Sequence, residues 1–143
     1  MEIKTKGRHA VRIMADIARN QKNFDIAEGF VPVADISSRQ GISSKYLEQI
    51  ISKLVSTGLL VSQRGAKGGY KLAKPACEYS VMQILAGAGE KVQISTCTHK
   101  GECPRAGNCD TQGVWGTLDS LVANYLERVT LQDLLDKTYK LEK

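Results

Sequence analysis

Three cysteines are evenly spaced in the second half of the chain. Cys97, Cys103 and Cys109 lie in a polar stretch that contains glycine, lysine and asparagine but few large apolar residues. A buried packing role needs apolar neighbours, so these thiols are predicted to lie in a loop where they can bind or react. Thiolates ligate zinc, iron and iron-sulfur clusters, and they also undergo redox chemistry. The spacing therefore predicts a metal, cluster or redox site.

A metal site of this kind needs donors besides the three thiols. Five residues separate successive cysteines, which is wider than the Cys-x-x-Cys pairs of structural zinc sites and weakens the case for zinc without excluding it. His99, inside the loop, is the nearest nitrogen candidate. The other candidates are His9 of a second subunit, Glu102, Asp110 and a small external ligand.

The chain of 143 residues has a basic first half and a slightly acidic second half. Residues 1–75 contain 13 Lys or Arg and 6 Asp or Glu, whereas residues 76–143 contain 7 and 9. Such a basic half predicts a polyanionic partner, most often nucleic acid, although a solvated basic face has the same composition. No window is apolar enough for a membrane span and no signal peptide is evident, so we expect a cytoplasmic protein. Stable disulfides are not expected in that reducing compartment.

The spacing of apolar residues predicts three helices in the basic half. A buried stripe indicates a first helix over about 6–21. Pro32 opens a short second helix that ends at Gly41, where glycine adopts a left-handed cap most easily. A third helix over about 43–57 begins with a serine cap. The tight turn before it is typical of a helix-turn-helix, although a plain helical hairpin has the same periodicity.

The third helix has the exposed polar face of a DNA-recognition helix. Its residues predicted to contact DNA are Ser43, Ser44, Lys45, Glu48 and Gln49, and either of the two serines can be the cap. A β-hairpin follows, with Arg64 and Lys67 at its glycine-rich tip. These cations can reach phosphates or a minor groove. The hairpin therefore favours a winged helix-turn-helix over a plain helical hairpin.

The second half contains a long helix with a sustained apolar stripe. The members of this stripe are Val114, Leu118, Leu121, Val122, Tyr125, Leu126 and Val129. Such a surface needs a partner, either the rest of the chain or a second copy. A short helix near 80–88 precedes the cysteines, and Cys77 is interpreted as a small, partly buried packing residue. We predict a mainly α fold with a small β-hairpin wing: a winged helix-turn-helix DNA-binding domain over 1–75, and a cysteine sensor loop with a dimerisation helix over 76–143.

Together these motifs resemble the Rrf2 family of bacterial winged-helix regulators. The resemblance covers nearly the whole chain, and it is carried by the triple cysteine together with Lys6-Gly-Arg-His-Ala-Val11, Ala34-Asp-Ile-Ser-Ser-Arg-Gln-Gly-Ile-Ser43, Tyr46-Leu-Glu-Gln49 and Arg64-Gly-x-x-Gly-Gly-Tyr70. It implies a homodimer that binds a palindromic operator in double-stranded DNA, with the recognition helix in the major groove. It also implies that the three cysteines ligate an iron-sulfur cluster, two-iron two-sulfur rather than four-iron four-sulfur, whose presence or state alters DNA binding.

The resemblance gives roles to individual residues and also reveals one departure. Glu48 and Gln49 occupy positions that help to distinguish operator classes, and Arg64 occupies the position at which the wing enters the minor groove. One branch of the family has a histidine ligand three residues after its last cysteine, where this chain has Gln112. Another branch uses an acidic residue near the N-terminus of the partner subunit, where this chain has Arg8. The fourth ligand therefore stays open.

Two other functions are compatible with these residues. The same fold could use its thiols for zinc binding or for redox chemistry without a metal, or it could be a repressor controlled by a partner enzyme. Iron and sulfide content separates these from a cluster-binding regulator. A thiol enzyme with Cys97 or Cys103 as nucleophile and His99 as base is disfavoured, because no oxyanion or substrate pocket is indicated and the basic half would have no role. We therefore expect a regulator and not an enzyme.

Overall fold

The computed structural model describes residues 2–21, 29–97 and 103–140. Within these ranges the helices are α1 Thr5–Asn20, α2 Val33–Gln40, α3 Ser44–Ser56, α4 Val81–Gly87, α5 Gln112–Arg128 and α6 Leu131–Asp136, and the strands are β1 Leu60–Gln63 and β2 Gly69–Leu72. The predicted mainly α fold with a two-stranded wing is confirmed. None of the helices in these ranges is long and apolar enough to cross a membrane.

The main core forms around α1. Ile13 and Ile17, from its apolar stripe, are completely buried and pack with the stripe of α3. Tyr79, Ile84 and Leu131, from the second half of the chain, belong to the same core. The two halves therefore share one core, so the predicted ranges 1–75 and 76–143 are not independently packed units.

A buried carboxylate joins α1 to the end of α2. The Asp16 side chain is only 2% exposed and accepts two hydrogen bonds from Arg39, at 2.8 and 3.0 Å. It also accepts one from Gln40 Nε2 at 2.7 Å, while Arg12 donates to the Gln40 carbonyl at 2.7 Å. Gly41 then ends α2 in the predicted left-handed conformation, with φ 65°. These contacts hold the turn that directs the chain into α3.

A buried tyrosine joins both ends of the wing to the core. Tyr79 is fully buried, and its hydroxyl donates to the Leu59 carbonyl at 2.7 Å. The same oxygen accepts the N–H groups of Ala73 and Lys74 at 3.0 and 3.1 Å. Burial raises the pKa of Tyr79, partly offset by the hydrogen bonds from the two amides. Since Leu59 precedes β1 and Ala73 follows β2, one side chain fixes the base of the hairpin.

Replacing Tyr79 with phenylalanine is expected to lower the free energy of unfolding by about 1–3 kcal/mol, because buried backbone groups lose their partner. The raised pKa of Tyr79 also makes its contribution to the free energy of unfolding depend on pH. The folded state favours the neutral phenol, so this contribution is complete below the unfolded pKa of about 10 and is lost as pH rises through the higher folded pKa. Urea unfolding between about pH 7 and pH 11 measures both effects.

The pH profile distinguishes Tyr79 from the other tyrosines. The wild type should lose more stability above about pH 10 than Tyr79→Phe does. Tyr139, which is 41% exposed, provides the control, and Tyr139→Phe should keep the wild-type profile. If Tyr79→Phe also kept that profile, the buried hydroxyl would not be the group that titrates.

Candidate DNA interface and cysteine segment

The exposed face of α3 belongs to a capped helix that is buried on one side only. Ser43 Oγ accepts the Tyr46 N–H at 3.3 Å, which confirms a serine cap and identifies which serine it is. The opposite face packs in the core through Leu47, Ile50, Ile51 and Leu54. All the α3 residues predicted to contact DNA are exposed, namely Ser43, Ser44, Lys45, Glu48 and Gln49. The helix can therefore present this polar face to a groove without losing its packing.

The wing carries its two cations at an exposed tip. Arg64 and Lys67 follow β1 and are solvent-accessible. The tip turns through a hydrogen bond from Gly68 N to Gly65 O at 2.9 Å. A Cβ atom at Gly68 would lie 2.3 Å from the Gln63 carbonyl oxygen, so this position needs glycine. The turn thus places two positive side chains beyond the end of the paired strands.

His9 lies where α1 meets α3. Its ring is 5.7 Å from that of Tyr46 in a T-shaped contact, and its buried Nδ1 makes no hydrogen bond within the described ranges. Burial lowers the pKa of His9, and the charges of Arg12 and Arg8 lower it further. The imidazole is therefore neutral at pH 7. Its suggested role as a ligand toward a second subunit stays a prediction.

The three spaced cysteines are free, partly exposed thiols. Cys109 Sγ lies 3.3 Å from Thr111 Oγ1. The hydrogen bond with this hydroxyl, followed by backbone donors, lowers the pKa of the Cys109 thiol. A lower thiol pKa increases the thiolate fraction, which is the form that binds metals and reacts with oxidants. The Cys109 thiol is therefore suited both to metal binding and to reaction with an oxidant.

Helix α5 holds both described arms of the cysteine segment, which we define as residues 94–97 and 103–109. Gln112 donates from Nε2 to the Cys97 carbonyl at 2.9 Å and accepts the Gly107 N–H on Oε1 at 2.8 Å. Asp119, farther along the helix, accepts the Ile94 N–H at 2.7 Å. Both described arms of the cysteine segment are therefore hydrogen-bonded to α5.

The donor set suits an iron-sulfur group in its chemistry but is not assembled in the described structure. Thiolates are the ligands that such clusters use. Within residues 2–21, 29–97 and 103–140, no three His, Cys, Asp or Glu side chains form a group that could hold a metal ion. The predicted ligands His99 and Glu102 lie outside the described residues.

The apolar stripe of α5 is divided between a buried end and an exposed end. Leu126, on α5, and Val129, just after it, pack against Val81 and Leu85. The first three turns of the helix instead expose large apolar side chains, namely Val114, Trp115, Leu118 and Leu121. Packing within the chain therefore accounts for only part of the predicted stripe, and the exposed part is available to another surface.

The structure adds two positioning residues that the sequence did not single out and corrects one interpretation. Asp16 lies among buried apolar positions of a basic helix, and this placement could have signalled a buried partner. Tyr79 follows no periodic pattern. Cys77 is exposed, so its interpretation as a partly buried packing residue was wrong. The reason is that it lies on a short 3₁₀ turn, Ala76–Glu78, in which no residue is buried.

Comparison with known proteins agrees with this geometry. Residues 3–137 match the Rrf2 family profile, which is described as an iron-dependent transcriptional regulator. The chain belongs to the Rrf2 family. The HTH-type transcriptional regulator IscR of Vibrio vulnificus (strain YJ016) is 39% identical over 142 residues, which cover 99% of this chain and 82% of that protein. IscR of Cronobacter sakazakii is 40% identical over 136 residues, covering 95% and 81%.

Solved structures of Rrf2 regulators have the same architecture. CymR, the global cysteine regulator of B. subtilis, superposes with a TM-score of 0.78 at 28% identity, covering 96% of this chain and 98% of that one. IscR of T. potens superposes with a TM-score of 0.71 at 30% identity, covering 100% and 93%. This Rrf2 chain is therefore a winged-helix, DNA-binding transcriptional regulator, and its relatives are regulators and not enzymes.

Proposed function

We propose that this Rrf2 regulator binds a palindromic operator as a homodimer, and that its operator affinity responds to an iron-sulfur cluster held by Cys97, Cys103 and Cys109. The observation that carries the proposal is the direct attachment of the cysteine segment to α5, whose exposed stripe can pair with a second copy. The relative placement of two recognition helices depends on that pairing. Residues 1–75 supply DNA binding, and residues 76–143 supply sensing and dimerisation.

In this proposal α3 enters the major groove and the wing reaches the neighbouring minor groove. The exposure of Ser43, Ser44, Lys45, Glu48 and Gln49 on one face of α3 supports the first contact. The exposed cations Arg64 and Lys67 support the second, because guanidinium and ammonium groups contact both phosphates and narrow minor grooves. Direct readout by a carboxylate or an amide then gives base preference.

The proposed cluster is of the two-iron two-sulfur type, and when bound it supplies a redox-active group whose potential depends on its surroundings. The lowered pKa of Cys109 supports thiolate binding. Gln112 uses its amide for two backbone contacts, which supports a fourth donor from elsewhere. The candidates are His99, His9 of a second subunit, Glu102, Asp110 and a small external ligand.

The test of this function is to measure iron, acid-labile sulfide and zinc per chain, together with the visible absorption spectrum, on protein purified without oxygen. We expect stoichiometric iron and sulfide with thiolate-to-iron absorption bands. Cys103→Ala should lose both elements, while Cys77→Ala, which changes an exposed cysteine outside the segment, should retain them. Wild-type protein that contains no iron or sulfide, even after reconstitution, would contradict cluster binding.

A second candidate function uses the same fold with zinc, with thiol redox chemistry or with control by a partner protein. One observation favours its redox form: the Cys109 thiol has a lowered pKa. A thiolate of this kind can react directly with an oxidant. The same elemental analysis separates the two functions, since only the cluster-binding protein contains sulfide in addition to cysteine sulfur.

Replacing Arg64 with alanine is expected to weaken operator binding by about 1–3 kcal/mol and to reduce the log-log salt slope by about one. Glu48→Ala should instead leave general affinity largely intact and reduce discrimination at one base pair, because a carboxylate accepts from a specific base edge. Fluorescence anisotropy with an operator selected by the wild type from random duplex DNA measures both. Lys140→Ala removes an exposed charge outside residues 1–75 and should bind the operator normally. Wild-type operator binding by Arg64→Ala would contradict the proposed contact of the wing with the minor groove.

A further inference from the structure

We propose that Gln112 is a positioning residue that holds the two arms of the cysteine segment to the first turn of α5, and that it is not a ligand. The significance of this role rests on the proposed function, because it concerns the thiols that would hold the cluster. The contacts themselves involve only this chain. Gln112 stands at the position where one branch of the resembled family has a ligating histidine, so its role here needs a separate explanation.

Both polar ends of the Gln112 amide are used by backbone groups on opposite sides of the segment. Nε2 donates to the Cys97 carbonyl at 2.9 Å, and Oε1 accepts the Gly107 N–H at 2.8 Å. The only metal-ligating atom of a neutral glutamine is its oxygen. Oε1 already accepts the Gly107 N–H, and iron in clusters prefers thiolate and imidazole to an amide oxygen. The geometry therefore favours a positioning role.

A second contact gives this arrangement a defined register along α5. Asp119 accepts the Ile94 N–H at 2.7 Å. Gln112 and Asp119 are seven residues apart on α5, which is about 10.5 Å along the helix axis. Because Gln112 contacts Cys97 and Asp119 contacts Ile94, segment 94–97 lies beside the first two turns of α5 with Cys97 at the start of the helix.

Gln112 also contacts Cys109, the last of the three cysteines. The Gln112 backbone N–H donates to the Cys109 carbonyl at 3.4 Å. One residue thus contacts the backbones of Cys97, Gly107 and Cys109 and begins the helix whose apolar side chains are exposed. Any movement of Cys97 or Cys109 away from α5 breaks a bond to Gln112. A rearrangement of this segment is therefore transmitted to the start of α5 through Gln112, by its side chain from Cys97 and Gly107 and by its backbone from Cys109.

Two substitutions separate the two contacts of the amide. Gln112→Leu removes both, whereas Gln112→Glu keeps an oxygen for the Gly107 N–H and loses the donor to the Cys97 carbonyl. In full-length protein treated with a chelator, Gln112→Leu should increase hydrogen exchange at the Gly107 amide by roughly three- to tenfold, the equivalent of one ordinary hydrogen bond. Gln112→Glu should leave that exchange near wild type. The NMR order parameter of the Cys97 amide should decrease in both variants.

Gln132→Leu is the matched control, because the Gln132 side chain donates to Asp136 within α6 and its loss should change neither readout. After reconstitution with iron and sulfide, Gln112→Leu should show the wild-type positions of the absorption bands, as expected when a residue is not a ligand. Unchanged Gly107 exchange in Gln112→Leu, or displaced bands, would overturn the inference. Wild type that binds no iron or sulfide would instead defeat the proposed function and leave the exchange result intact.

Discussion

Replacing Leu121 with glutamate should convert the proposed homodimer to a monomer and remove tight operator binding. Leu121 is 61% exposed and lies beside Val114 and Leu118 on the uncovered part of α5. Burial of one such side chain between two copies contributes about 1.5–3 kcal/mol, whereas a buried, unpaired carboxylate is strongly unfavourable. A twofold interface contains each substitution twice. A monomer contacts one half-site, so affinity for a palindromic operator should fall by roughly 10²- to 10⁴-fold.

Sedimentation velocity and fluorescence anisotropy measure these two effects on the same sample. Circular dichroism should show unchanged helix content, because Leu121 makes no contribution to either buried cluster. Ser120→Glu places the same charge at the neighbouring exposed position, outside the stripe, and should remain dimeric with wild-type affinity. A dimeric Leu121→Glu protein with normal operator binding would show that the subunits associate through another surface.

Replacing Asp16 with alanine should lower the free energy of unfolding by about 2–4 kcal/mol. The carboxylate is almost fully buried and is the shared acceptor for Arg39 and Gln40. Its removal leaves these donors without a partner, and breaking such a pair is costly when one member is buried. Arg39 is 38% exposed and can regain some hydration. The loss in free energy of unfolding is therefore smaller than for a fully buried pair. Urea denaturation monitored by circular dichroism measures the change.

The Asp16 substitution should also weaken operator binding, because it loosens the turn that directs the chain into α3. Asp16→Asn keeps the size and one acceptor oxygen but removes the charge, so its loss of stability should be intermediate. Asp136→Ala removes an exposed carboxylate from α6 and should change stability by less than about 0.5 kcal/mol. A loss below about 1 kcal/mol for Asp16→Ala would show that this contact does not stabilise the junction of α1 and α2.

The winged fold could be predicted because its elements depend on local patterns. The stripe of α1, the left-handed Gly41 and the serine cap of α3 each use residues close together in the sequence. Contacts between distant residues gave no comparable signal. Asp16 and Arg39 are 23 residues apart, and Tyr79 and Leu59 are 20 apart, so their pairing depends on how complete elements pack.

The cysteine segment shows the same limit at the candidate site. The even spacing of Cys97, Cys103 and Cys109 predicts chemistry at these thiols, but spacing does not specify how the backbone around them is held. The sequence identified Gln112 only as a departure from a histidine ligand. Its contacts with Cys97 and Gly107 require the loop and the start of α5 to be adjacent, which is a tertiary property.

The most direct test of the central claim is the operator affinity of one anaerobic preparation before and after its iron and sulfide are removed by chelation. We expect the wild-type affinity to change by about tenfold or more, within the usual range for coupling between two sites. Cys103→Ala treated identically should show no change. Equal wild-type affinities in the two samples, with iron and sulfide bound stoichiometrically in the first, would contradict control of DNA binding by the cysteine segment.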